Sequence, residues 1–132
     1  MSGGKNYSIT NLGKIASLSE KGRVMVGETL GMTGCEVSFN CTPAGKFTPF
    51  VHAHKLNEEI YIILSGNGQL KVDDEEFSIE EGNVIRIAPS GMRAFKAGDK
   101  DLTYICIQAQ VDTLTQATKE DGIISEEKAS WM

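Results

Sequence analysis

The chain has two histidines, His52 and His54, and they open the stretch HAHKLNEEIYIILSG, residues 52–66. Imidazole nitrogen and carboxylate oxygen are the donor types that hold borderline divalent metals. On an extended segment, side chains two residues apart share a face, with roots roughly 6.6 Å apart. Two imidazoles at that spacing reach one ion only where the backbone bends around a concave interior. Lys55-Leu56-Asn57-Glu58 is long enough to reverse the chain and return Glu59 beside the histidines on a neighbouring strand. Two neutral imidazoles and one carboxylate suit Zn, Mn, Fe, Ni or Co, and three protein ligands leave positions open for water or substrate. The plainer account of the same residues is a pair of strand histidines with satisfied hydrogen bonds.

Two further residues carry chemistry. Tyr61 offers a hydroxyl to a substrate, or is a core ring with its hydroxyl at the rim. Arg93 offers a fork of donors to an anionic substrate carboxylate, or is a surface charge. The run Asp73-Asp74-Glu75-Glu76 lacks the spacing and glycine of a calcium loop and reads as a solvated turn. No G-x-S-x-G elbow, P-loop or G-x-G-x-x-G fingerprint is present.

The elements that must position these residues read as short strands, punctuated by turn residues at the rhythm of a sandwich or barrel. Strands are expected at 23–30, 35–40, 48–54, 59–65, 69–73, 75–79, 83–88, 92–97 and 102–110. Ser65-Gly66-Asn67-Gly68 predicts a two-residue hairpin joining EIYIIL to QLKV. Asp73-Asp74 supplies the next reversal, Glu80-Glu81-Gly82-Asn83 another, and Pro89-Ser90-Gly91 ends NVIRIA. If Glu59 points inward, so do Tyr61 and Ile63, with Leu70 and Val72 on the same inner face. Ile60, Ile62 and Leu64 then face outward, an apolar set that needs a cover and predicts a homodimer. The arm 1–21 carries enough apolar residues to dock on the body. The polar tail 112–132 predicts a short helix or a loose end, with Trp131 as a packing contact.

The bulk properties bound the rest. A chain of 132 residues fits one domain, and 40% hydrophobic with 23% charged residues can bury a core. A net charge of −5, with no basic helix or tail, argues against nucleic-acid and anionic membrane partners. MSGGKNYSITNLG has no apolar signal region and no stretch approaches a bilayer span, which predicts a cytoplasmic protein. Cys35, Cys41 and Cys106, without a C-x-x-C pair, are expected to be reduced thiols.

The chain resembles the cupin superfamily over roughly residues 34–110. Its first motif runs Gly, His-x-His, Glu, Gly; here His52-Ala53-His54, four residues, Glu59, six residues and Gly66 fit it. Gly45 stands one residue farther upstream than the pattern has it. Glu58 meets a shorter spacing, but Glu59 is the one six residues before Gly66. The second motif is matched by Gly82 and Pro89-Ser90-Gly91, with one extra residue between them. Ala94 stands where that motif has its last histidine.

The resemblance implies an all-β jelly-roll barrel (a double-stranded β-helix) of two antiparallel sheets. It also implies His52, His54 and Glu59 as ligands of a divalent metal, and no ligand at Ala94. Cys106 is the soft side chain in the right part of such a barrel, as a substitute donor, a cavity contact or an inert core thiol. The functions implied are a metal-dependent oxygenase, decarboxylase or isomerase on a small polar molecule, or a binding module without turnover. A metal-free isomerase, with a histidine base and Tyr61 as acid, is a third.

Overall fold

The computed structural model describes residues 1–118 and 120–132; Lys119, within the tail, lies outside them. In chain order the strands are β1 (Ser2–Gly3), β2 (Ser8–Ile9), β3 (Arg23–Met25), β4 (Glu36–Thr42), β5 (Asn57–Ser65) and β6 (Asn67–Val72). They continue with β7 (Glu75–Glu80), β8 (Val84–Ile87), β9 (Arg93–Ala97) and β10 (Leu102–Gln110). A 3-10 turn spans Ile15–Glu20, and the one α-helix among the described residues, α1, spans Gly27–Leu30.

The fold is all-β, as the strand rhythm predicts. One antiparallel sheet has the order β3-β4-β10-β5-β8 and the other β7-β6-β9, with β1 and β2 forming a separate ribbon. Alternation within each strand decides what lies between the sheets. Tyr61 and Ile63 of β5, Leu70 of β6, Phe95 of β9 and Leu102 and Tyr104 of β10 turn into one buried cluster. Both sheets pack their apolar faces on this cluster, and burial of these rings and branched chains is the main stabilising contribution.

Three expectations are corrected. The predicted hairpin at Gly66-Asn67 does not form: β5 pairs with β8 and β10, while β6 pairs with β7 and β9. Gly66 is instead the corner where the chain leaves one sheet for the other. Its φ is +86°, and a Cβ there would sit 2.1 Å from the Asp101 carbonyl oxygen, so only glycine fits. Leu70 still faces inward, because both sheets face one core. The strand expected over 23–30 stops at Met25, and Gly27–Leu30 turns into a helix closed by Gly31 at φ +73°.

The strand expected over 48–54 is extended but bulged. It joins β9 through isolated bridges at Phe47↔Lys96 and His52↔Arg93, with residues 48–51 opposite residues 94–95 alone. Pro49 has no N–H for a regular ladder, and a bulge re-aims the side chains beyond it. The tail after Gln110 contains no strand or helix among its described residues.

The remaining turns follow the reading. Asp73-Asp74 joins β6 to β7 as a hairpin, with Val72 opposite Glu75 and Asp73 at φ +52°. Leu18 of the arm is buried against the body. No helix among the described residues is long and apolar enough to cross a membrane.

Candidate metal centre

The site is built where the bulged segment meets β9 and β5. Backbone bonds hold the histidine segment against the β8–β9 connection: His52 N–H donates to Arg93 O (3.0 Å), Arg93 N–H to His52 O (2.8 Å) and His54 N–H to Pro89 O (2.8 Å). The two imidazoles therefore stand on a fixed backbone, ring centroids 5.4 Å apart and nearly perpendicular. Glu59 comes from β5, whose inward face it shares with Tyr61 and Ile63. One donor atom each from His52, His54 and Glu59 lies within 4.8 Å of the others. Glu58 points the other way and pairs with Arg86 at 2.7 Å, so the choice between the two glutamates goes to Glu59.

The three residues read from sequence as substrate contacts have a shared geometry. All of them donate to Glu59. Tyr61 Oη donates to Oε1 at 2.6 Å, Arg93 Nη1 donates to the same oxygen, and Cys106 Sγ donates to Oε2 at 3.0 Å. Arg93 is fully buried, and its remaining donors go to backbone carbonyls: Nε to Gly91 O (2.9 Å) and Nη2 to Ala88 O and Pro89 O (2.8 and 3.2 Å). Nearly the whole fork is thus committed within the protein. The residue beside it corrects the motif alignment. Strand alternation turns Arg93, Phe95 and Ala97 inward and Ala94 away. The interior position at the start of β9 is held by a guanidinium.

Protonation states follow from these contacts. Burial alone would raise the Glu59 carboxyl, but hydrogen bonds from Tyr61, Cys106 and Arg93 outweigh it and hold its pKa below the ordinary glutamate value. Burial, assisted by the neighbouring cations and opposed by Glu59, lowers His52 below an ordinary histidine. Burial first, then the bond to Glu59, pushes the Cys106 thiol up to about 12. Burial likewise raises Tyr61 far above the tyrosine range. At neutral pH the set is one carboxylate, a neutral His52 and two donors that keep their protons. A thiol held protonated is a poor metal ligand.

Do the residues fit a metal? His52 Nδ1 and His54 Nε2 are buried and have no hydrogen-bond partner among the described residues. His54 Nε2 comes within 3.3 Å of Glu59 Oε1, but without hydrogen-bond alignment. Leaving two buried ring nitrogens unpartnered costs free energy that a shared ion would recover. The donor set fits.

The cluster lies in a cavity of about 610 Å³ between the sheets, walled also by Ser38, Asn40, Phe50, Phe95, Tyr104 and Gln108, with Arg23 among its lining residues. Inward alternation in SFN (38–40) and TYICIQ (103–108) would have found Ser38, Asn40, Tyr104 and Gln108. Phe50 and Arg23 had no such signal, because the bulge and the short β3 are tertiary features.

Comparison with known proteins agrees with this architecture. Residues 39–108 match the family model described as Cupin domain. A crystal structure of a cupin protein from Bacteroides fragilis superposes with TM-score 0.84 at 40% identity, covering 92% of this chain and 98% of that one. An uncharacterized protein of Methanocaldococcus jannaschii is 43% identical over 65 residues, 48% of this chain and 51% of that protein, so the match spans about half of that relative's length. A predicted oxalate decarboxylase of Thermotoga maritima shares the fold alone, with TM-score 0.52 at 21% identity over 57% of this chain and 65% of that one.

Proposed function

The chain belongs to the cupin family, and from that premise we propose that its barrel holds a divalent metal through His52, His54 and Glu59 and acts on a small polar molecule in the adjoining cavity. One observation carries the reading: two buried, unpartnered imidazole nitrogens beside an ionised carboxylate. A metal there would supply Lewis-acid polarisation of a bound carbonyl or carboxylate, the chemistry common to decarboxylases, isomerases and oxygenases of this architecture.

The chain's own residues set the stage for it. The backbone bonds of the 52–54 segment orient the two rings. Tyr61 and Cys106 fix the carboxylate plane and keep their protons. Phe50, Phe95 and Tyr104 supply the aromatic part of the cavity wall.

A second reading has its own support. Arg93 already neutralises Glu59 from the interior position at the start of β9, which weakens the pull on a dication. On this reading the barrel binds its small molecule without turnover. Elemental analysis of protein purified without chelator separates the two. Calorimetry with Zn(II), Mn(II), Ni(II) and anaerobic Fe(II), on the wild type and His54→Ala, completes the test. Binding lost in His54→Ala supports the metal site; no heat with any metal removes it.

The outer face of the larger sheet supports a homodimer. A ladder of apolar residues, Val24, Phe39, Ile105, Ile62 and Val84, crosses all five strands in register. The N-terminal arm lies against Phe39, whereas Ile60 (37% exposed) and Val84 (67%) are open. A second copy of the same face is our proposed cover.

A further inference from the structure

The charges of the cavity define what it can hold. Among its described lining residues Glu59 is the one acid, and Arg93, a fixed buried cation just beneath it, neutralises that acid. Arg23 adds a second cation. It lines the mouth of the same cavity from the edge strand β3, is exposed, and its guanidinium makes no hydrogen bond or ion pair among the described residues. Its charge is felt across the cavity, at His52 and at Cys106. The side chains lining the cavity therefore sum to one positive charge that no acid of the lining meets. A dication on the imidazoles would raise that excess to three, inside a chain whose net charge is −5. Arg93 is matched by Glu59, whereas the exposed Arg23 at the cavity mouth meets no acid of this chain, so the partner suited to it is an anion entering from solvent.

The rest of the wall describes the body of that anion. Phe50, Phe95 and Tyr104 contribute aromatic rings, with Phe95 and Tyr104 stacked at 5.2 Å, and Asn40 and Gln108 contribute neutral amides. We propose that this cavity takes a small organic carboxylate with an apolar or aromatic body, its charge met by the free fork of Arg23 and not by Arg93. A planar guanidinium matches a carboxylate through two parallel N–H···O bonds, and ring walls complement an apolar body. The proposal rests on the cavity being the ligand site, and its charge argument holds with or without the metal.

Calorimetry tests it on chelator-treated and on Zn(II)-loaded protein. The probes are benzoate and phenylacetate, each against its uncharged amide. Both carboxylates are expected to bind at roughly millimolar or tighter, and the amides at least about tenfold more weakly. Arg23→Gln is expected to reduce the carboxylates to the level of the amides, and Arg23→Lys to keep part of the preference. Zn(II) titration of Arg23→Gln is expected to match or exceed the wild type, because a like charge has been removed. Equal binding of amide and carboxylate, no carboxylate binding, or an unaffected Arg23→Gln would each overturn the proposal. Failure of the metal reading shows separately, as wild-type protein that takes no Zn(II) yet still prefers the carboxylate.

Discussion

At the scale of single residues, Glu59 is where the protein's polar interior converges. It accepts from Tyr61, Arg93 and Cys106, so changing it does more than remove a ligand. Glu59→Gln leaves the buried Arg93 guanidinium without its counterion, and breaking such a pair costs about 3–5 kcal/mol. Urea denaturation of the metal-free variant is expected to show a loss of that size. A loss under about 1 kcal/mol would mean the ion pair is solvated. Acid acts on the same cluster. His52 and Glu59 both have folded-state pKa values below their unfolded ones, so the unfolded chain binds more protons as pH falls. The stability they contribute is present above the unfolded values and is lost as pH drops, first through the histidine range and then through the carboxylate range. Melting of metal-free protein is expected to fall steadily from pH 7 to about pH 5, and His52→Asn is expected to flatten the upper part of that slope.

At the scale of elements, corners and bulges place the site. Gly66 turns the chain between the sheets at φ +86° with the Asp101 carbonyl oxygen against the space a Cβ would need. Gly82 has a similar φ of +88° but open space around it. The two are a matched pair. Gly82→Ala carries the left-handed backbone cost of about 1–2 kcal/mol. Gly66→Ala carries that cost plus a backbone clash, and is expected to lose roughly 2 kcal/mol more or fail to fold. Equal losses in denaturant titrations of the two variants would show that the corner relaxes freely. The bulge at 48–51 matters in another way: His52 and His54 follow it on an irregular segment paired with the regular β9, and the bulge re-aims the side chains beyond it.

At the scale of the whole molecule, the open end of the apolar ladder, around Ile60 and Val84, is the feature that a lone barrel leaves unexplained. An isologous dimer across that face would bury Ile60, Ile62 and Val84 against their own copies, as two-fold symmetry requires. Sedimentation velocity of the wild type is expected to show a dimer, and Ile62→Lys with Val84→Lys a monomer with the same far-ultraviolet circular dichroism. A wild-type monomer at about 100 μM would reject the face as a self-association surface.

How much of this was written in the order of residues? The period-two pattern of EIYIILS and LTYICIQAQ is enough to set strands and their inner faces, because side-chain alternation is a local property of extended backbone. The H-x-H and Glu59 spacing likewise identifies the donors, since imidazole and carboxylate chemistry belongs to the residue types themselves. Sheet membership is not local. Gly66 reads equally well as a hairpin turn or a corner, and the pairing of β5 with β8 and β10 decides between them. The inward turn of Arg93 in place of Ala94 depends on where β9 begins its alternation, and the convergence of Tyr61, Arg93 and Cys106 on one carboxylate joins three strands. Those are long-range facts, fixed by which surfaces exclude water together, and only the folded chain supplies them.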